Sequence, residues 1–113
     1  MKKNIEINKK NWHDCSFENL ILDEDVNISL LDDKNKIYHI ICKKCIGIVS
    51  LGMWDEGIIK EIKVIKNSDL SKKVLKTIEK NYKDSFDEEW YELSIEFLDK
   101  NKIQIICFEI EMA

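Results

Sequence analysis

From Tyr91 to Phe97 every second residue is apolar, with Tyr91, Leu93, Ile95 and Phe97 separated by Glu92, Ser94 and Glu96. A strand turns successive side chains to opposite faces, so this period commits one face to a core and leaves the other polar. Val26, Ile28 and Leu30 repeat the pattern against Asn27 and Ser29. Such alternation is the mark of antiparallel strands solvated on one side. Asp99-Lys100-Asn101-Lys102 follows the first of these runs, and Asn101 is the residue expected to take the positive φ of a tight turn. The run Ile103 to Met112 then completes a hairpin whose two strands are expected in the core.

Other segments read the same way. Phe17 to Asp23 offers Leu20 and Leu22 on one face, and Asp23-Glu24-Asp25 turns the chain. Lys36 to Cys42 is apolar on both faces, which suits a central strand. Ile46 to Leu51 either continues that strand or pairs beside it, and Gly52 ends it. Ile58 to Ile65 mixes helical spacing with β-branched content and is assigned to a strand. Ile5 and Ile7 alternate with polar residues in a short first strand. One helix is predicted from Ser68, its N-cap, to Tyr82, with Leu70, Val74, Leu75, Ile78 and Tyr82 on one stripe. The expected fold is a single α+β domain over residues 1–113, a mainly antiparallel sheet of seven to eight strands, rolled or folded as a sandwich, with one packed helix.

Composition then limits function. Lysines number 18 and acidic residues 22, giving a formal charge of -4 and a pI near 5.2, which disfavours nucleic acid or an anionic membrane as partner. Another protein, basic or neutral, fits better. The chain has no arginine, so no guanidinium fork can clamp a phosphate in bidentate fashion. With glycine only at positions 47, 52 and 57, neither a dinucleotide-binding nor a Walker-type loop can be built. The 19 isoleucines, 9 asparagines and missing proline match AT-rich coding and point to a bacterial source. Met1 to Trp12 lacks the apolar run of a secretory signal, and no segment has the length of a membrane span, so a cytoplasmic protein is expected.

In a reducing compartment Cys15, Cys42, Cys45 and Cys107 are expected as free thiols. Cys42-Lys43-Lys44-Cys45 has a spacing used for zinc binding or disulfide exchange. Its context is strand on each side, where residues three apart point to opposite faces, and no second close pair completes a zinc site. The reading adopted is structural cysteines, with no metal and no cofactor. His39 lies within the most apolar strand and reads as a partly buried, satisfied histidine.

The best candidates for a binding surface are Trp12, His13 and Asp14, ahead of the first strong strand, and Trp54, Asp55 and Glu56, in a loop between glycines. A carboxylate beside a histidine can orient a general base, and a cysteine beside one can be activated as a nucleophile. On an extended chain His13 and Asp14 point apart, so no such dyad follows from sequence. Trp54 has carboxylate neighbours, as does Trp90 beside Glu88-Glu89, an arrangement that suits an interface anchor with an acidic rim. The acidic runs Asp23-Asp25, Asp32-Asp33 and Asp84-Glu89 lack the alternating ligands of a calcium loop. They read as solvated turns or as a negative face that steers a basic partner.

Trp12-His13-Asp14-Cys15, Phe17 to Leu22, Val26 to Leu31 and Trp54 followed by Ile58-Ile59 resemble a group of small bacterial domains that open with an aromatic or leucine residue, His-Asp and a small residue. Some of that group are immunity proteins of polymorphic toxin systems, which neutralise a toxin by binding it. The resemblance covers the first sixty residues or so, and a cysteine stands where the small residue is usual. It implies a β-rich fold and a binding role for Trp12, His13 and Asp14. The expected function is therefore a non-catalytic, cytoplasmic protein-binding domain, immunity-like in kind. The alternatives are a small enzyme or metal protein using His13, Asp14 and the cysteines, and a homo-oligomer paired through a strand edge.

Overall fold

The computed structural model of the chain describes residues 2–52, 57–78 and 90–112. Helix α1 (Lys2–Lys9) is followed by β1 (Ser16–Leu22), β2 (Val26–Leu31), β3 (Ile37–Lys43), β4 (Gly47–Leu51) and β5 (Ile59–Lys66). Helix α2 (Asp69–Ile78), β6 (Tyr91–Phe97), β7 (Lys102–Cys107) and β8 (Glu109–Met112) complete the order. The strands form two antiparallel four-stranded sheets, β1-β2-β3-β8 and β4-β7-β6-β5, so the fold is α+β with mostly antiparallel sheet.

The two-residue period places the core. Val26, Ile28 and Leu30 of β2 and Leu93, Ile95 and Phe97 of β6 point inward and join one buried cluster drawn from both sheets. Both strands of the C-terminal hairpin contribute to the core as expected, and β6 and β7 are the two inner strands of their sheet. Its turn takes positive φ at Lys100 (74°) rather than at Asn101. Asn101 instead bonds to the Asp99 carboxylate with both its backbone and its side-chain N–H, which fixes it one place later in the turn.

Three further expectations change. The segment around Ile5 and Ile7 is a helix, because two alternating isoleucines cannot distinguish the periods and the surroundings decide. Ile7, with 0% exposure, is in the core, and α1 packs against β5 and β8, the edge strands of the two sheets. The run Ile103 to Met112 is two strands, since the chain bends at Phe108 and passes from one sheet to the other. Ile46 to Leu51 does not extend β3 within its sheet. After Lys44, at φ 51°, the chain enters the second sheet and β4 pairs with β7.

Ser68 caps α2 as predicted, its hydroxyl accepting the Ser71 N–H at 3.1 Å. The same hydroxyl donates to the Glu92 carboxylate at 2.9 Å, and Gln104 donates to its other oxygen at 3.2 Å. Glu92 is buried at 3% exposure, so these bonds offset its removal from water. The helix is described as far as Ile78, and the predicted turn to Tyr82 lies outside the described residues. Among the described residues no helix is long and apolar enough to cross a membrane.

Candidate binding site at the Trp12–Cys15 turn

Four residues after α1 form a turn closed by the Cys15 N–H donating to the Trp12 carbonyl at 3.1 Å. Asp14, its third residue, has φ 69°, a left-handed conformation that a short polar side chain tolerates. The Asp14 N–H donates to Ile59 at 2.9 Å, and the His13 N–H to the Asn11 side chain at 3.1 Å. Three consecutive backbone donors are thus held, which fixes the backbone of the turn.

Those side chains divide by burial. Trp12 is 1% exposed and donates its indole N–H to the Ile7 carbonyl at 2.8 Å, so it anchors the turn in the core instead of offering a face to a partner. Cys15 is also buried, and burial pushes its thiol pKa up, which keeps it protonated and remote from a nucleophilic role. His13 and Asp14 point outward, with side chains 52% and 65% exposed. Contrary to the extended-chain expectation they touch, His13 Nδ1 lying 3.1 Å from Asp14 Oδ2. The turn, not the sequence spacing, brings them together. A carboxylate at Nδ1 orients the imidazole by bonding a hydrogen on that nitrogen.

His13 stands between two open recesses of about 500 and about 600 Å³. The larger is lined by Asp14, Asp32, Asp33, Lys34, Lys36 and Tyr38, among others. Asp32 shapes its rim by accepting the backbone N–H groups of Lys36 at 2.8 Å and Lys34 at 2.9 Å, which hold its carboxyl below the usual carboxylate range. Lys10 closes the wall, donating to the Tyr38 hydroxyl at 3.1 Å with its ammonium 4.2 Å from the ring centroid. Lys60, Glu61 and Lys63 of β5 line the smaller recess. The surface is one of mixed charge, whereas the sequence suggested an acidic one. Asp23–Asp25 lies at the opposite end of β1, roughly 20 Å away by strand rise.

The two segments chosen separately in the sequence converge in part. Phe17 donates to the Gly57 carbonyl at 2.9 Å, and Ile59 to Cys15 at 2.8 Å, so the residues following Trp54-Asp55-Glu56 are stitched to the turn. Trp54, Asp55 and Glu56 themselves lie outside the described residues, as do Asp84 to Glu89. Trp90 is buried, edge-on to Phe108 at 5.9 Å, and is a core residue. His39 is exposed and hydrogen-bonded to Ser29 at 3.2 Å, because β3 turns Ile40 and Cys42 inward. Lys10, Lys36 and Tyr38 were missed by sequence reasoning, and Asp32 was read only as part of an acidic run, since only the β2–β3 turn folding beside residues 10–15 makes them neighbours.

Cys42 and Cys45 do not share a face with a further ligand pair. Among the described residues no group of three or more His, Cys, Asp and Glu side chains is placed to hold a metal ion. No protein-family model, curated protein or solved structure matches the chain.

Proposed function

We propose that this chain is a non-catalytic, cytoplasmic protein-binding domain, immunity-like in kind, that recognises another protein through the His13–Asp14 turn and its flanking recesses. The observation that carries this reading is the pairing of an exposed His13–Asp14 couple with a backbone in which the N–H groups of His13, Asp14 and Cys15 are all held. A polar couple on an anchored turn loses little backbone freedom on docking, which favours recognition. The buried Cys15 thiol leaves the couple without a neighbouring nucleophile, which weighs for binding over catalysis. The formal charge of -4 supports a basic partner, steered over distance and docked on a surface where lysines and carboxylates alternate.

The test is affinity capture from lysate of the source cells at low salt, with mass spectrometry of the eluate and a His13→Ala/Asp14→Gly variant as control. Trp12 is left intact, because truncating so buried an indole would cost about 3–5 kcal/mol and confuse unfolding with lost binding. A basic protein retained by the parent chain and lost by the variant supports the reading. Equal retention by both removes the turn from it.

One observation favours the homo-oligomer reading. Strand β4 is a sheet edge without a charged residue, and its Ile48 and Leu51 are 38% and 57% exposed. Sedimentation at high protein concentration decides it, a dimer mass supporting pairing through β4 and a strict monomer excluding it.

A further inference from the structure

The chain crosses between the sheets twice, and the two crossings run side by side. Phe108 donates its N–H to the Lys43 carbonyl at 3.0 Å, and Ile46 to the Ile106 carbonyl at 2.9 Å. This corner gathers three of the four cysteines. Cys42 is on the inner face of β3, Cys107 is the last inward residue of β7, and both have 0% exposure within the core cluster. Cys42 is paired across the sheet with Ile110, three residues beyond Cys107 on the strand that continues from it. The Phe108–Lys43 bond joins the residues that follow Cys107 and Cys42, so the two inward-facing cysteines lie beside each other where β3 meets β7. All four cysteines are free thiols.

We propose that Cys42 and Cys107 form a dithiol site that closes to an intramolecular disulfide, tying one sheet to the other, on contact with a disulfide oxidant such as oxidised glutathione. One protein thiol loses its proton and attacks the oxidant's sulfur–sulfur bond, releasing one reduced glutathione. The second protein thiol loses its proton and attacks the protein sulfur of the mixed disulfide, releasing another. Two S–H bonds become one S–S bond, and the oxidant is reduced to two thiols. Cys107 beside it and burial push the Cys42 thiol well above its ordinary range, so the reaction proceeds when the corner opens. Cys45, half-buried, donates its thiol to the Gly47 carbonyl at 3.6 Å.

The experiment uses a Cys15→Ala/Cys45→Ala variant incubated folded with excess oxidised glutathione. Both remaining thiols should disappear in a titration under denaturing conditions, with a mass loss of about 2 Da in the monomer. Thermal unfolding should move up by roughly 10 °C and return on reduction, because the link closes a long loop. Two surviving thiols, an unresolved glutathione adduct or a disulfide-linked dimer would overturn the proposal. Should that variant not fold, unreduced tryptic mapping of the oxidised parent chain decides. A peptide joining residues 37–43 to residues 103–113 supports the pair, and a link through Cys15 or Cys45 overturns it.

Discussion

The side-chain amide of Asn8 occupies both free backbone groups of Val64, accepting its N–H at 2.7 Å and donating to its carbonyl at 3.1 Å. Strand β5 is the edge of its sheet, and unpaired edge groups invite pairing with another chain. Asn8 blocks that edge from α1 as a neighbouring strand would, while Ile59, accepting the Asp14 N–H and donating its own N–H to the Cys15 carbonyl, is blocked at the strand's beginning. The same contacts place the His13–Asp14 turn.

Replacing Asn8 by alanine should therefore cost about 1–2 kcal/mol, the value of two partly solvated hydrogen bonds. Asn8→Asp, which retains the acceptor and loses the donor, should fall between. Urea unfolding of the three proteins checks the order, and equal midpoints would mean that water replaces the clamp at no cost.

Asp14 has a positive φ, so Asp14→Gly should keep or raise stability by up to about 1 kcal/mol while Asp14→Val loses about 1–2. Both remove the carboxylate facing His13. A stable Asp14→Gly protein whose His13 ring resonances differ in NMR spectra from the parent's would separate the couple from the fold.

A Cβ at Gly57 would lie 2.5 Å from the ring of Phe97, whose side chain is 1% exposed. Gly57→Ala should destabilise by about 1–3 kcal/mol through overpacking. Gly47→Ala should cost less, since its nearest neighbours are Val74 methyl groups at 3.1 Å. Thermal melts of the two variants give the comparison.

Much of this was legible in the sequence, and the boundary is physical. Runs such as Val26–Leu31 and Tyr91–Phe97 carry enough alternating positions to fix strand and inward face together. Ser68 announced its helix because an N-cap is a local device. Ile5 and Ile7 misled because a short segment takes its period from what it packs on, here the gap between β5 and β8. His13 and Asp14 were legible as residues but not as a couple, since Asp14's backbone conformation depends on Ile59, far along the chain. The wall formed by Lys10, Asp32 and Tyr38 has no sequence signature, as it joins separate segments through tertiary packing.

The carboxyl of Asp32 is held below the usual carboxylate range, chiefly by the Lys36 N–H. A depressed pKa contributes stability above the ordinary range, and that contribution is lost as pH falls through the lower, folded-state value. Asp32→Asn should thus be less stable than the parent at neutral pH, with the gap closing in acid below the ordinary carboxylate range. Urea midpoints of both proteins across that range test the sign, and a gap that widens in acid would contradict it.

The most direct measurement is the affinity of the captured partner, made as pure protein, for the parent chain and for His13→Ala/Asp14→Gly, by titration calorimetry with rapid-mixing association rates at two salt concentrations. The account predicts one-to-one binding weakened at least tenfold in the variant, and an association rate that falls as salt rises. An unchanged dissociation constant in a folded variant would contradict the assignment of recognition to the His13–Asp14 turn.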